Sequence, residues 1–345
     1  GRELYVTDGT AGGTELLVDL NPGNDGYGAK SSYPDNFAEF NDKLYFSASN
    51  EESGRELYVT DGTAGGTELL VDLSSGEDDY GAKSSYPDNF IEFNDKLYFT
   101  ANSAESDYGL YVSDGTAGGT ELLVDLNGEG TSQADNFVEF NGKLYFSANG
   151  ENGNVQYVSD GTAEGTQLLV DLNPEELIYG RGSDGFYDRK LVELNDKLYF
   201  KASNGESGRE LYVSDGTAEG TSLLVDIYPG EDSDYGYDGN SSSPSDLVVF
   251  NDKLYFAADD GKNGTELFVS DGTADGTKLF ADIYPGLNEE GSPESSLPSS
   301  LTVVGDELFF SADNGETGAE LFKLTLGSEG EEILSACSGD DLAGF

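Results

Sequence analysis

Residues Glu3–Thr10 read E-L-Y-V-T-D-G-T, and the same eight letters return at Glu56–Thr63. Altered copies follow down the chain, so that an anchor aromatic stands at Tyr5, Tyr58, Tyr111, Tyr157, Tyr212 and Phe268, with a degenerate copy at Phe322. Successive spacings are 53, 53, 46, 55, 56 and 54 residues, a period that marks propellers or solenoids. Within one period, four short apolar runs lie between turn signals: Asn36–Phe40, Lys43–Ala48, Glu56–Thr60 and Thr67–Leu73. Each is of strand length, rich in Tyr, Phe, Val and Leu, and too short for an ordinary helix. The joints are Asn41-Asp42 or Asn94-Asp95 between the first two runs and D-G-T-x-x-G-T between the last two. Gly supplies positive φ there and Asp accepts local backbone hydrogen bonds, so both joints read as tight hairpin turns.

Four antiparallel strands make one blade with two apolar faces that only neighbouring blades can cover, and radial closure leaves only short sheet edges. The expected fold is therefore an all-β propeller of four-stranded blades, with a β-solenoid as the rival. Residues 3–20 carry only the last two strands of a module, whereas Leu301–Ala312 carry the first two. Joining them would complete a sixth blade and close the ring through the N- and C-terminal strands. Glu320–Leu326 continues as a further strand without the D-G-T turn: either it is surplus beside the clasp, the preferred six-blade reading, or it belongs to a sixth complete module and the amino-terminal hairpin starts a seventh blade. This gives one repeat domain over residues 1–326, with a half-module at 3–20 and a part-module at 301–326, and an acidic tail over 327–345. The start at Gly1, in mid-module and without Met, is read as that of a processed or incomplete chain.

The run E-L-Y-V-T-D-G-T-A-G-G-T-E-L-L-V-D-L resembles the ELWxxDGT repeat of large secreted and surface-associated bacterial proteins. The resemblance extends to D-L-N-P-G at Asp19–Gly23, D-I-Y-P-G at Asp226–Gly230 and Asp282–Gly286, and the L-Y-F-x-A of the second strand, from Glu3 to about Leu326. Here the family's Trp is always Tyr or Phe, and the loops after the fourth strand are longer and more acidic. The resemblance implies an extracellular repeat protein with adhesion or matrix roles and no catalytic residues. The turn S-D-G-T-A-E-G-T also looks like a relative of the structural Asp-box of sialidase-type propellers.

Lys plus Arg number 17 against 68 Asp plus Glu, a formal charge of −51. Such a surface repels nucleic acid and anionic membrane and attracts cations or basic partners. No apolar stretch is long enough to span a bilayer. An exported protein at the cell surface or outside the cell is expected, with other extracellular proteins, glycans or further copies as partners. The lone Cys337 can make no intrachain disulfide and reads as a structural thiol, with an interchain bridge as the alternative. Asn240 and Asn263 stand in N-glycosylation sequons.

Without His, no imidazole base or imidazole-dependent triad can be built from these residues. Strand direction places every D-G-T turn at one end of the blades, where Asp8, Asp61, Asp114, Asp160, Asp215 and Asp271 are expected to cap their own turns. The other end gathers the long loops, where Ca²⁺ would find carboxylates and backbone carbonyls. Its acidic members are Asp25, Glu77, Asp78, Asp79, Glu231, Asp232 and Asp234, with Asp259, Asp260 and Asp313 from shorter loops. Tyr27, Tyr80 and Tyr235 there are read as exposed rings for sugars or proteins, while Tyr33 and Tyr86, each before Pro, are read as packing their loops. The insert Pro174–Arg189 alone brings two arginines, Arg181 and Arg189, beside Tyr179 and Tyr187, which suits an anionic ligand. The resulting expectation is a non-enzymatic structural or adhesive propeller with acidic loops bridged by Ca²⁺ and no organic cofactor. A lectin-like propeller and a carboxylate-dependent glycosidase or lyase are the alternatives.

Overall fold

A computed structural model describes residues 1–24, 26–79, 81–103, 106, 108–126, 134–150, 153–170, 172, 190–204, 206–230, 239–328 and 330–337. A two-stranded hairpin comes first, β1 (Leu4–Val6) and β2 (Glu15–Val18). Blade 1 follows as β3 (Asp35–Phe40), β4 (Lys43–Asn50), β5 (Gly54–Thr60) and β6 (Glu68–Val71). A small loop ribbon, β7 (Glu77–Asp78) and β8 (Gly81–Ala82), leads to blade 2: β9 (Asp88–Phe93), β10 (Lys96–Ala101), β11 (Gly109–Ser113) and β12 (Thr120–Val124). Blade 3 is β13 (Asp135–Phe140), β14 (Lys143–Gly150), β15 (Gly153–Ser159) and β16 (Gln167–Val170). Blade 4 is β17 (Val192–Leu194), β18 (Lys197–Ser203), β19 (Arg209–Ser214) and β20 (Ser222–Val225). Blade 5 is β21 (Ser245–Phe250), β22 (Lys253–Asp259), β23 (Thr265–Ser270) and β24 (Lys278–Ala281). Blade 6 is β25 (Ser299–Val304), β26 (Glu307–Asp313), β27 (Ala319–Leu326) and β28 (Glu332–Ala336). All six blades are four-stranded antiparallel sheets in sequential order, the β-propeller architecture expected from the repeat.

The shared blade that was to unite the terminal strands is not formed. Among the described residues, β1 and β2 pair only with each other, and β25–β26 are completed by β27 and β28. The fourth strand of blade 6 comes from within the stretch read as an acidic tail. Its register Phe322↔Ala336 through Leu326↔Glu332 is regular, and Leu334 packs into the adjoining core. In place of the D-G-T turn, the Gly330 N–H donates to the Gly327 carbonyl at 3.0 Å.

The first joint of blades 1 to 5 works as its residues require. Asn41 and Asp42 have φ of 49° and 58°, and Asn94 and Asp95 repeat this with 50° and 56°. Two consecutive positive φ angles define the type I′ turn that matches strand twist, and Asn and Asp tolerate them best after Gly.

The residues fall into two compact units, Gly1–Leu168 and Leu169–Phe345. In the first, the hairpin packs through Leu4 and Leu17 on Phe46 and Tyr58 of blade 1. Blade 1 meets blade 2 through Phe40, Tyr45, Leu97 and Phe99, and blade 2 meets blade 3 through Phe93, Tyr98, Leu144 and Phe146. In the second, Tyr199, Leu211, Leu254 and Phe256 join blades 4 and 5, while Tyr255, Leu267, Leu308 and Phe310 join blades 5 and 6. Each buried Leu or Phe contributes about 1.5–3 kcal/mol relative to exposure. Inside each blade, a Phe of the second strand lies directly opposite the anchor aromatic of the third. Phe46–Tyr58, Phe99–Tyr111 and Phe310–Phe322 stack at 5.8, 5.6 and 5.7 Å.

Neighbouring blades are also tied by a polar bond. Tyr45 Oη donates to the Gly115 carbonyl at 3.4 Å, Tyr98 to Gly161 at 3.2 Å and Tyr199 to Gly272 at 3.4 Å. The acceptor is the Gly of the next blade's D-G-T turn. The second Gly of that turn has its own reason: a Cβ on Gly66 would overlap the Asp61 carboxylate. Two outcomes are expected from urea unfolding of single variants. Tyr98→Phe costs about 0.5–1.5 kcal/mol through loss of one hydrogen bond, and Gly66→Ala costs about 1–3 kcal/mol because the turn must open to admit the methyl group.

Candidate functional site

The six D-G-T turns are alike to a tenth of an ångström or so. Asp61 Oδ1 accepts from Thr63 N–H at 2.9 Å and Thr63 Oγ1 at 2.6 Å; Thr63 Oγ1 in turn accepts from Gly66 N–H at 3.0 Å. The same bonds recur at Asp8, Asp114, Asp160, Asp215 and Asp271. The Thr hydroxyl, followed by the Thr N–H, holds each of these exposed carboxyls below the usual range. Their oxygens serve the turn in which they sit.

The opposite end is organised by a residue whose role sequence reading did not assign, the Glu that opens the E-L-Y motif. Glu56 Oε2 accepts from Leu73 N–H at 3.0 Å and Oε1 from Ser85 N–H at 2.8 Å, with a further bond from Ser85 Oγ to Oε2. Leu73 follows the fourth strand of blade 1, and Ser85 lies three residues before blade 2 begins. One carboxylate on the third strand thus pins both ends of the connecting loop. Glu210 repeats the arrangement with Ile227 and Ser242, at 2.9 and 2.8 Å from the two amides, and Glu266 with Ile283 and Ser296, at 2.8 Å from each. Glu3 does the same with Leu20 and Ser32 at the chain's start, at 3.2 Å from each amide. Blades 2 and 3 carry Gly109 and Val155 at this position and lack the latch.

The residue after each latch serine has a left-handed backbone and precedes Pro: φ is 47° at Tyr33, 49° at Tyr86, 47° at Ser243 and 49° at Leu297. This conformation costs a non-glycine residue roughly 1–2 kcal/mol. It turns the Tyr86 N–H onto the Arg55 carbonyl at 3.2 Å and the Leu297 N–H onto Thr265 at 3.2 Å, so the strain is held by the latch around it. It also swings both tyrosines outward. Tyr33 and Tyr86 are about half exposed, at 51% and 49%, and do not pack their loops as expected; the Arg2 guanidinium lies over the Tyr33 ring at 5.8 Å.

The sequence-predicted loop residues divide. Asp25, Tyr80, Glu231, Asp232, Asp234, Tyr235 and all four members of the insert, Tyr179, Arg181, Tyr187 and Arg189, lie outside the described residues. Glu77 and Asp78 form β7, Asp79 turns the ribbon, and Tyr27 is fully exposed. Asp259 and Asp313 accept from Gly261 and Gly315 N–H at 2.7 and 2.8 Å, and Asp260 caps Lys262 and Asn263, both at 2.9 Å. Among the described residues, no group of three Asp, Glu or Cys side chains could hold a metal ion.

Among the described residues, two buried polar atoms of blade 4 find no hydrogen-bond partner, Tyr212 Oη and Asp226 Oδ1. Burial, with the nearby Glu210 carboxyl, pushes the Tyr212 hydroxyl up to about 12. In blade 1 the equivalent Tyr58 hydroxyl is satisfied by Asn50 Nδ2 at 2.5 Å.

No family model matches the chain, and no curated protein matches it. Its fold is similar to that in a solved structure described as a structural and mechanistic analysis of two prolyl endopeptidases, with a TM-score of 0.50 at 15% identity. The match covers 90% of this chain and 45% of that one, so the chain spans under half the length of that relative. Puromycin hydrolase aligns with a TM-score of 0.42 at 15% identity, over 90% of this chain and 55% of that one. An α-L-arabinofuranosidase from Clostridium thermocellum gives 0.27 at 15%, over 77% and 93%.

The first of these similarities corrects the expectation of a non-enzymatic structural or adhesive module. That expectation rested on the missing histidine and on the resemblance to ELWxxDGT proteins, yet a similar fold occurs within the longer chain of the prolyl endopeptidase structure.

The latch has a pH consequence. Burial raises the Glu56 carboxyl from 4.5 to about 7, outweighing the Ser85 and Leu73 donors that act against it, and Glu210 and Glu266 shift the same way. A raised folded pKa means that the folded state holds more protons than the unfolded state between pH 4.5 and 7, so stability falls as pH rises through that window. Calorimetric melts at pH 5 and pH 8 should show the wild type losing on the order of 1–3 kcal/mol more than Glu56→Gln across the interval.

Proposed function

We propose that this chain is the β-propeller portion of a hydrolase whose bond-breaking groups lie outside these 345 residues. The observation that carries the reading is the similarity to the prolyl endopeptidases, which takes in 90% of this chain and 45% of that one. Composition agrees, since a chain without His supplies no imidazole for a serine or cysteine nucleophile. The buried carboxylates agree as well. Glu56, Glu210 and Glu266 each accept three hydrogen bonds from their own loops, with both oxygens engaged.

In such an enzyme the propeller contributes access and steering rather than chemistry. A surface with 68 acidic and 17 basic residues attracts cationic peptides and repels acidic ones, and the effect weakens as salt screens it. The substrate class proposed is therefore short peptides of positive charge. The resemblance to ELWxxDGT proteins supports placing the enzyme at the cell surface or outside the cell.

The test compares the protein isolated from its source with the 345-residue chain, using proline-containing fluorogenic peptides that carry Lys or Glu next to the cleaved bond. Turnover by the native protein and none by the 345-residue chain is expected. The Lys peptide should be cleaved about tenfold or more faster than the Glu peptide at low ionic strength, with the preference shrinking in high salt. Hydrolysis by the 345-residue chain alone, or none by the native protein, would overturn the proposal.

A further inference from the structure

The loops that lead into blades 1 and 2 repeat one stretch letter for letter: G-A-K-S-S-Y-P-D-N-F runs over residues 28–37 and again over residues 81–90. The backbone repeats with it, at φ of 47° for Tyr33 and 49° for Tyr86, and of 54° for Asn36 and 57° for Asn89. In the first copy the stretch holds a guanidinium. Arg55 Nη1 donates to the Tyr33 carbonyl at 2.9 Å, and Nη2 pairs with the Asp35 carboxylate. Strand register brings them together: Asp35 faces Ser47 on β4, and Ser47 faces Leu57 on β5, two residues past Arg55.

Blade 2 has the same register but a different residue at that place. Asp88 faces Thr100 on β10 and Thr100 faces Leu110 on β11, so Tyr108 stands where Arg55 stands in blade 1. Tyr108 has a left-handed backbone, with φ of 61°, and donates its N–H to Asn102 Oδ1 at 2.8 Å, whereas the Arg55 N–H goes to Ser84 Oγ at 2.9 Å. Asn102 N–H in turn donates to the Ser85 carbonyl at 2.6 Å, so Tyr86 and Tyr108 flank one asparagine. Burial raises the Tyr108 hydroxyl, and Tyr86 and Asp88 are near enough to add to the rise. Tyr86 and Asp88 are both exposed. Asp88 Oδ1 accepts from Asn89 N–H at 2.7 Å, but among the described residues no cation is bonded to this carboxylate and no donor reaches the Tyr86 carbonyl. Burial pushes the neighbouring Arg55 guanidinium down, and Asp88 and Tyr86 act against this; its hydrogen bonds nonetheless go to Tyr33 and Asp35.

We infer that Tyr86, Asp88 and Tyr108 form a receptor for the side chain of an arginine carried by a peptide from outside the fold. The guanidinium takes the place that Arg55 holds in blade 1. One N–H donates to the Tyr86 carbonyl and another to an Asp88 oxygen, while its plane lies against the tyrosine rings. Arginine fits better than lysine, because a carbonyl and a carboxylate side by side match a planar fork and not a point charge. The formal charge of −51 draws cations toward the chain, and these contacts select among them. Other blades lack the ring pair: the two places carry Ser243 and Thr265 in blade 5, and Leu297 and Ala319 in blade 6. The inference deepens the reading of a propeller that receives positively charged peptides, and it rests on that reading for the source of the ligand.

The probe is a fluorescently labelled acetyl-Gly-Arg-Gly amide, added to the 345-residue chain at low ionic strength beside its Lys and Gln counterparts. Saturable one-to-one binding of the Arg peptide is expected, several-fold tighter than that of the Lys peptide, with none for the Gln peptide. Asp88→Asn should weaken it by about tenfold or more. Tyr86→Asn, which tolerates the left-handed backbone, should weaken it several-fold through loss of the ring. Tyr108→Arg rebuilds the blade 1 arrangement, supplies the guanidinium from within and should abolish binding. Chemical shifts on the unaltered chain give a readout that does not depend on how any variant folds: the Arg peptide should move the Asn89 amide and the Tyr86 and Tyr108 ring signals, and the Gln peptide should leave them in place. Equal affinity for the Arg and Lys peptides, undiminished binding by Tyr108→Arg, or shifts confined to other residues would each sink the inference. Because binding to this chain is read without turnover, the two readings fail separately. Arg-peptide binding with no hydrolysis by the native protein would keep the site and overturn the enzyme; hydrolysis without such binding would do the reverse.

Discussion

Each blade is a four-stranded sheet with apolar side chains on both faces, and neither face can be left to water. The requirement is met mainly by the second and third strands. Of the four, they are the most buried, with Lys96–Ala101 and Gly109–Ser113 almost wholly enclosed, whereas the fourth strand is mostly half-buried, with Glu121 exposed. The aromatic residues have two tasks. Phe99 stacks on Tyr111 within the blade, and Tyr98 reaches across to the next blade's turn. That second contact couples packing to turn geometry, because the hydroxyl finds a carbonyl only where the D-G-T turn holds its Gly at a positive φ, 92° at Gly161.

The connections between blades follow from the same requirement. A long loop leaving the fourth strand must return to a fixed starting point, and the buried Glu of E-L-Y fixes it by gripping an amide at each end. A carboxylate in that position carries a desolvation cost, visible in the upward shift at Glu56, and three donors offset part of it. The left-handed residue before Pro is held by the same grip, and its side chain is turned outward as a result. Tyr33 and Tyr86 are presented to solvent by this mechanism, which ties a surface property of the loops to a buried contact beneath them.

The hairpin at the start of the chain shows what happens when only half of the arrangement is present. Leu4 is still buried against Phe46 and Tyr58, so one face of the hairpin is covered by blade 1. Tyr5 and Val6 belong to the strand that a complete blade flanks on both sides, and they stay open. Both halves of a complete blade meet the following one, the first and second strands through Phe40 and Tyr45 and the third and fourth through Leu57 and Val71.

Much of this was legible in the letters. A period near 53 residues, four apolar runs and the Asn-Asp and D-G-T joints dictate four-stranded antiparallel blades, because strand length and turn chemistry are local properties. The structural role of Asp61 and its copies was readable for the same reason, since its partners Thr63 and Gly66 are two and five residues away. The completion of blade 6 by Glu332–Ala336 was not, since that strand lacks the repeat's signature and is identified only by its pairing with β27. Nor was the latch, whose Glu and Ser are 29 to 32 residues apart and look like solvent-facing polar residues until the fold buries them together. Short-range chemistry determined the blade; only tertiary structure decided which carboxylates were buried, which tyrosines were exposed and which edge was left without a strand, because each depends on a partner distant in sequence.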